Sequence, residues 1–151
     1  MHAIIAGLLA GAAAGIIMGV LSHALFKFKI FRSSLLIVDG SFLFRTLGRQ
    51  AEHGIEATAG LVIHLVTSAV FGALYFVVTG FLGIAPQDAA WSFVLVGSYV
   101  FILWLSMLFI ALPISGQRIL GRRSGPYAWL EQLFLHAVFF VAFLFIIRII
   151  A

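Results

Sequence analysis

Gly7-Leu-Leu-Ala-Gly11-Ala-Ala-Ala-Gly15-Ile-Ile-Met-Gly19-Val-Leu-Ser-His23 sets a glycine at every fourth position of an unbroken apolar stretch. On a helix these glycines form one row, and the next step of the row is His23. A row without Cβ atoms lets a second backbone approach closely, which is how small-xxx-small rows act inside membranes. The row therefore serves packing alone, or packing that leads into a site at its histidine.

Composition decides the class. The chain has 151 residues, 64% of them hydrophobic and 9% charged. A soluble domain carries about 25% charged residues, so this chain requires lipid as its solvent. It has no cysteine, which removes disulfides, thiolate metal sites and cysteine catalysis. The net charge is +4, but the basic residues concentrate in two loops. They read as topology signals, and no nucleic-acid partner is expected.

A membrane span needs about 20 mostly apolar residues. Four segments qualify: Ala3–Phe26, Ala57–Gly83, Ala89–Leu112 and Tyr127–Ile150. Runs of this length satisfy their own backbone groups only as helices. Asp88 is a candidate cap for the third span, Pro113 follows its end, and Pro126 suits the first position of the fourth. The first span lacks the basic leader and short core of a signal peptide, so it is read as a span. The expected fold is all-α, a four-helix transmembrane bundle in a single domain covering residues 1–151.

Lys27, Lys29, Arg32, Arg45 and Arg49 lie in loop 27–56, and Arg118, Arg122 and Arg123 in loop 113–126. Positive loops stay cytoplasmic, so both termini are expected outside. The first loop is long. Leu35, Leu36, Val38, Phe42, Phe44 and Leu47 alternate with Arg45, Arg49, Gln50 and Glu52, which predicts an amphipathic interfacial segment with Asp39 or Ser41 as its cap.

A second row, Glu56, Gly60, His64, Ser68 and Gly72, runs along the second span. Gly7, Gly11, Gly15 and Gly19 are expected to pack against Gly60, Ser68 and Gly72. The second and fourth spans also read alike from His64 and from His136, a weak repeat of two parallel halves.

Depth draws attention to three histidines. His23 lies about 6 Å along the helix from Lys27, His64 about 12 Å from Glu56, and His136 roughly 7–8 Å from Glu131. All three fall in the cytoplasmic half, where Glu56, Glu131 and Gln132 form a candidate polar cluster. Intramembrane ionisable groups default to a functional hypothesis. His23, His64 and His136 are the candidate cofactor ligands, for haem or a chlorophyll-type pigment. Gly19 and Gly60, one turn from His23 and His64, would clear room for a flat macrocycle. The plainer alternative is no cofactor, with the histidines hydrogen-bonded between helices. A proton relay through His–Glu pairs is a further alternative. No HxxxH or HExxH spacing exists, so no metal site is expected. His53 reads as a solvated loop residue. GxSxG and phosphate-cradling loops are absent, so no catalytic residue is expected.

A Gly/Ala-rich first helix (Gly7 to Gly19), a cytoplasmic segment ending in Leu-Gly (Phe44 to Gly48) and a next helix carrying His64, Gly72 and Tyr75 resemble the YagU-like four-helix bacterial membrane proteins. The resemblance covers about half of the chain. It implies a small inner-membrane protein and no particular chemistry.

The leading functional expectation is a small non-catalytic accessory or stabilising subunit of a larger membrane complex. The sixteen phenylalanines motivate it, because Phe134, Phe139, Phe140, Phe143 and Phe145 crowd the fourth span nearly all round. Four helices are also expected to leave little room for a private cavity. The alternatives are a haem- or pigment-binding electron-transfer subunit and a small oligomeric ion or proton transporter or channel. The expected partners are the lipid bilayer and a membrane protein or a second copy of the chain.

Overall fold

The four apolar stretches form four long helices in a computed structural model that describes residues 2–49, 51–88 and 90–150. They are α1 (His2–Lys27), α3 (His53–Phe81), a third span and α6 (Ala128–Ile150). The third span is composite: α4 (Ser92–Ser106), a π-helical turn (Met107–Ala111) and the short α5 (Leu112–Ile114). All four spans are long and apolar enough to cross a membrane, and no strand occurs among the described residues. The chain is an integral membrane protein, and its fold is an all-α four-helix bundle with α2 (Leu35–Thr46) between the first two spans.

In space the order is α4, α6, α1, α3. α1 packs on α3 at one side and on α6 at the other, and it is the most buried span. α4 packs mainly on α6 and is the least buried. Helices α3 and α4 adjoin in sequence but scarcely pack on each other, which leaves a cleft between them.

Glycines set the α1–α3 distance. A Cβ on Gly7 would lie 2.8 Å from Ala73 Cα, and one on Gly11 would overlap the Ser68 carbonyl and approach Gly72 Cα to 2.9 Å. Gly72 answers from α3, where a Cβ would overlap the Gly7 carbonyl. Gly60 has a different partner from the one expected. Its Cβ would strike the Leu36 carbonyl and the Gly40 backbone, so Gly60 and Gly40 bring α2 onto α3. Further out, the row on α1 accommodates side chains: Ser68 against Gly15, His64 and Leu36 against Gly19.

Helix α2 is more deeply seated than a segment floating at the interface. Leu35, Leu36, Val38 and Gly40 are buried, and Val38 packs with Leu108 and Leu112. Its cap is Ser34, whose extended backbone precedes Leu35; neither Asp39 nor Ser41 starts the helix. The Leu35 N–H donates to Ser22 Oγ at 2.9 Å, so α1 supplies the acceptor that the helix start needs. Ser41 instead donates to the Val38 carbonyl. Arg45 donates to the Ser115 carbonyl at 2.6 Å and ties α2 to the end of the third span. Gln50, part of the predicted alternation, and Ala89, the predicted start of the third span, lie outside the described residues.

Three expected helix boundaries shift. Asp88 Oδ1 does accept the Ala90 and Trp91 N–H groups at 2.8 and 3.1 Å, but the regular helix starts at Ser92. Pro113 does not end the third span; it sits inside α5. Proline lacks the N–H and crowds the carbonyl four residues back. The preceding π turn absorbs that fault, with the Leu112 N–H bonded to the Met107 carbonyl five residues back. The fourth span opens at Ala128, two residues after Pro126.

Phe139 and Phe143 are buried and stacked, with ring centroids 5.5 Å apart, and Tyr75 meets Phe143 edge-on at 5.4 Å. The expectation that α6 presents phenylalanine outward nearly all round is thus corrected. Phe134 and Phe145 are exposed, whereas Phe139 and Phe143 build this chain's own core.

Candidate functional site

The cleft between α3 and α4 widens into a cavity of about 420 Å³. Met18 of α1 and His136 and Phe139 of α6 form its back, and Leu35 and Asp39 close the α2 end. Thr67, Phe71, Ile110 and Ala111 line it and are exposed, so the opening faces sideways between the two helices. At the far end the Tyr99 hydroxyl donates to the Phe71 carbonyl at 2.7 Å and bridges α4 to α3. The volume lies in the 300–1,000 Å³ range of small-molecule sites, and this cavity has their usual apolar lining with few polar groups. It overturns the expectation that four helices leave little private space. Met107, Ile110 and Ala111 come from the π turn, whose extra residue per turn reshapes this wall.

The polar groups converge at the α2 end. Buried His64 directs Nε2 at the Gly15 carbonyl, 3.1 Å away, and a carbonyl accepts, so Nε2 carries hydrogen. Its Nδ1 faces Asp39 Oδ2 at 3.4 Å. With Nε2 protonated, one more proton on either Nδ1 or Asp39 leaves the pair neutral overall. Burial pushes the Asp39 carboxyl above the ordinary carboxylate value, and His64 offsets part of that rise.

His136 donates from Nδ1 to the Gln132 carbonyl, one turn back on its own helix, at 2.8 Å. That bond fixes the neutral tautomer and leaves the Nε2 lone pair without a hydrogen-bond partner among the described residues. Gln132 is itself buried, with Oε1 unpartnered. On α4, Ser106 adds a hydroxyl to the lining.

His64 and His136 therefore share one cavity, and His23 does not. His23 Nδ1 lies 3.1 Å from Ser34 Oγ, where it helps to hold the start of α2. Among the described residues no hydrogen bond links Glu56 or Glu131 to Gln132. Glu56 lies 3.2 Å from His53, which is the first residue of α3 and not a loop residue. Glu131 accepts the Arg32 N–H at 3.1 Å. The room expected for a macrocycle at the two glycines is filled: the His64 ring and Leu36 occupy the space over Gly19, and the α2 backbone occupies that over Gly60. Among the described residues no three His, Asp or Glu side chains are grouped to hold a metal ion.

Asp39 is the functional candidate that sequence reasoning passed over. It was visible as a lone acid within Leu35-Leu-Ile-Val-Asp39-Gly, on the same side as Leu35, Leu36 and Val38. Its meaning depended on where α2 docks. The chain matches no family model, no curated protein and no solved structure. The cavity and the fold around it therefore carry the functional reading: a polytopic membrane protein with a ligand-sized site open to the apolar belt.

Proposed function

We propose that this protein is a small non-catalytic membrane protein that takes up an apolar or amphiphilic molecule from the bilayer. The observation that carries this reading is the side-opening cavity of about 420 Å³ between α3 and α4. Its mouth is flanked by exposed apolar residues, as a route from lipid requires, and its floor places a few polar groups to orient the guest. The Lys and Arg pattern of loops 27–56 and 113–126 supports an orientation with the α2 end cytoplasmic, both termini outside and the cavity in the inner half of the membrane, and the resemblance to bacterial membrane proteins supports a bacterial inner membrane. The test is native mass spectrometry of the protein released from lipid nanodiscs. A retained apolar molecule is expected, and Ala111→Trp, which fills the mouth, is expected to abolish retention without unfolding the bundle. Equal occupancy in the wild-type and the mouth-filled variant would sink the reading.

A second reading is favoured by α4. Phe93, Phe101 and Phe109 are exposed on the least buried span. They supply an aromatic surface for a membrane partner or a second copy, as an accessory subunit would need. A stoichiometric partner co-purifying in mild detergent supports it; a lone monomer at every protein-to-lipid ratio counts against it.

A further inference from the structure

The cavity has three titratable side chains in its lining, Asp39, His64 and His136, and no lysine or arginine. Asp39 from α2 and His64 from α3 face each other at 3.4 Å, so the one acid of the lining is held by an imidazole of the protein. A low-dielectric site with no lysine or arginine, whose one acid already faces an imidazole, disfavours an ionic guest, because an ion leaving water needs a free counter-charge. The lining nevertheless offers a fixed acceptor. Nδ1 of His136 is committed to the Gln132 carbonyl at 2.8 Å, so its other ring nitrogen presents a lone pair with no protein donor among the described residues. An acceptor in an apolar site selects for a donor on the guest, since leaving it unpaired costs more than pairing it gains.

Resting on the reading of the cavity as a lipid-fed binding site, we propose that its ligand is an uncharged apolar molecule ending in a hydroxyl, which donates to Nε2 of His136. Ser106 of α4 lines the same cavity and adds a hydroxyl that a guest oxygen can pair with. Long-chain alcohols and alkylphenols share this chemistry, and they differ in whether the body beside Phe139 is a chain or a ring.

The probe is radiolabelled dodecanol, counted on protein-loaded nanodiscs above empty ones. Competitors are dodecyl methyl ether, which keeps the oxygen and loses the donor, and dodecanoate and dodecylammonium, which carry charge. Dodecanol is expected to bind about tenfold more tightly than its ether, the loss of one buried hydrogen bond. Both ions are expected to compete at least as poorly as the ether. Nonylphenol competing better than dodecanol assigns the ring body, and the reverse assigns the chain. His136→Leu is expected to bind alcohol and ether alike, and His136→Gln, which keeps an acceptor, to retain a preference. Equal binding of alcohol and ether to the wild-type protein overturns this inference and leaves the cavity reading standing. Preference for either ion overturns it too. No retention of any probe above empty nanodiscs sinks both.

Discussion

His64 Nδ1 lies 3.4 Å from Asp39 Oδ2, which joins a membrane-spanning helix to the short helix closing one end of the bundle. The contact exists because Gly40 and Gly60 let α2 lie directly on α3, and because Gly15 and Gly19 leave the His64 ring a bed on α1. Two glycine contacts thus place one acid beside one imidazole.

That pair makes the seating of α2 depend on protonation. The Asp39 carboxyl is raised by burial, so the docked state binds its proton more tightly than the free chain does. The sign follows: the stabilisation is complete below the ordinary carboxylate range and is lost as pH rises through the elevated value. His64 and His136 are the other titratable groups around the cavity. Protection factors of α2 amides, measured by hydrogen exchange, are expected to fall with rising pH across that window. Asp39→Asn, which imitates the protonated acid and can donate to Nδ1, is expected to flatten the dependence. A wild-type profile as flat as that of the variant would contradict the assignment.

The helix contacts predict unequal glycine substitutions. Gly11→Leu and Gly72→Leu drive a side chain into backbone that cannot step aside, and a loss of about 3 kcal/mol or more is expected. Gly7→Leu and Gly15→Leu also meet close neighbours and are expected to destabilise. Gly80 has open space around its missing Cβ, so Gly80→Ala is expected to gain about 0.5–1 kcal/mol from helix propensity. Thermal unfolding in one detergent ranks them; normal folding of Gly11→Leu would remove the close α1–α3 packing.

An absorption spectrum separates the cavity reading from the cofactor one. The spaces beside Gly19 and Gly60 are filled, and both ring nitrogens of His64 face protein groups. Protein purified from its native membrane is expected to show neither a Soret band nor a pigment band. Either band at stoichiometric strength would restore His23 or His136 as an axial ligand.

Orientation has its own measurement. If the basic loops are retained in the cytoplasm as proposed, a periplasmic phosphatase reporter inserted after Gln87 is active and the same reporter after Arg123 inactive. The reverse pattern would move the cavity to the outer half.

The four spans were legible because lipid imposes a length and a composition on any helix that crosses it. The approach of α1 to α3 was legible too, since Gly7, Gly11 and Gly72 report a missing Cβ directly. Pro113 misled, because a proline marks a helix end only if the chain cannot absorb its fault, and the π turn at Met107–Ala111 absorbs it.

Depth was readable for the histidines, and proximity was not. Rise along a helix follows from counting residues, so His23, His64 and His136 could be set at similar levels. Direction around the bundle depends on how each helix is turned against its neighbours. Packing turns His64 and His136 into one cavity and leaves His23 on Ser34. Asp39 lies 25 positions from His64 in the chain, and no local pattern couples them. Class, span number and the close helix contact come from local chemistry, which the chain carries at each position. The cavity and its acid–imidazole floor arise only when α2 docks and α3 and α4 stand apart, because those are properties of packing between distant segments.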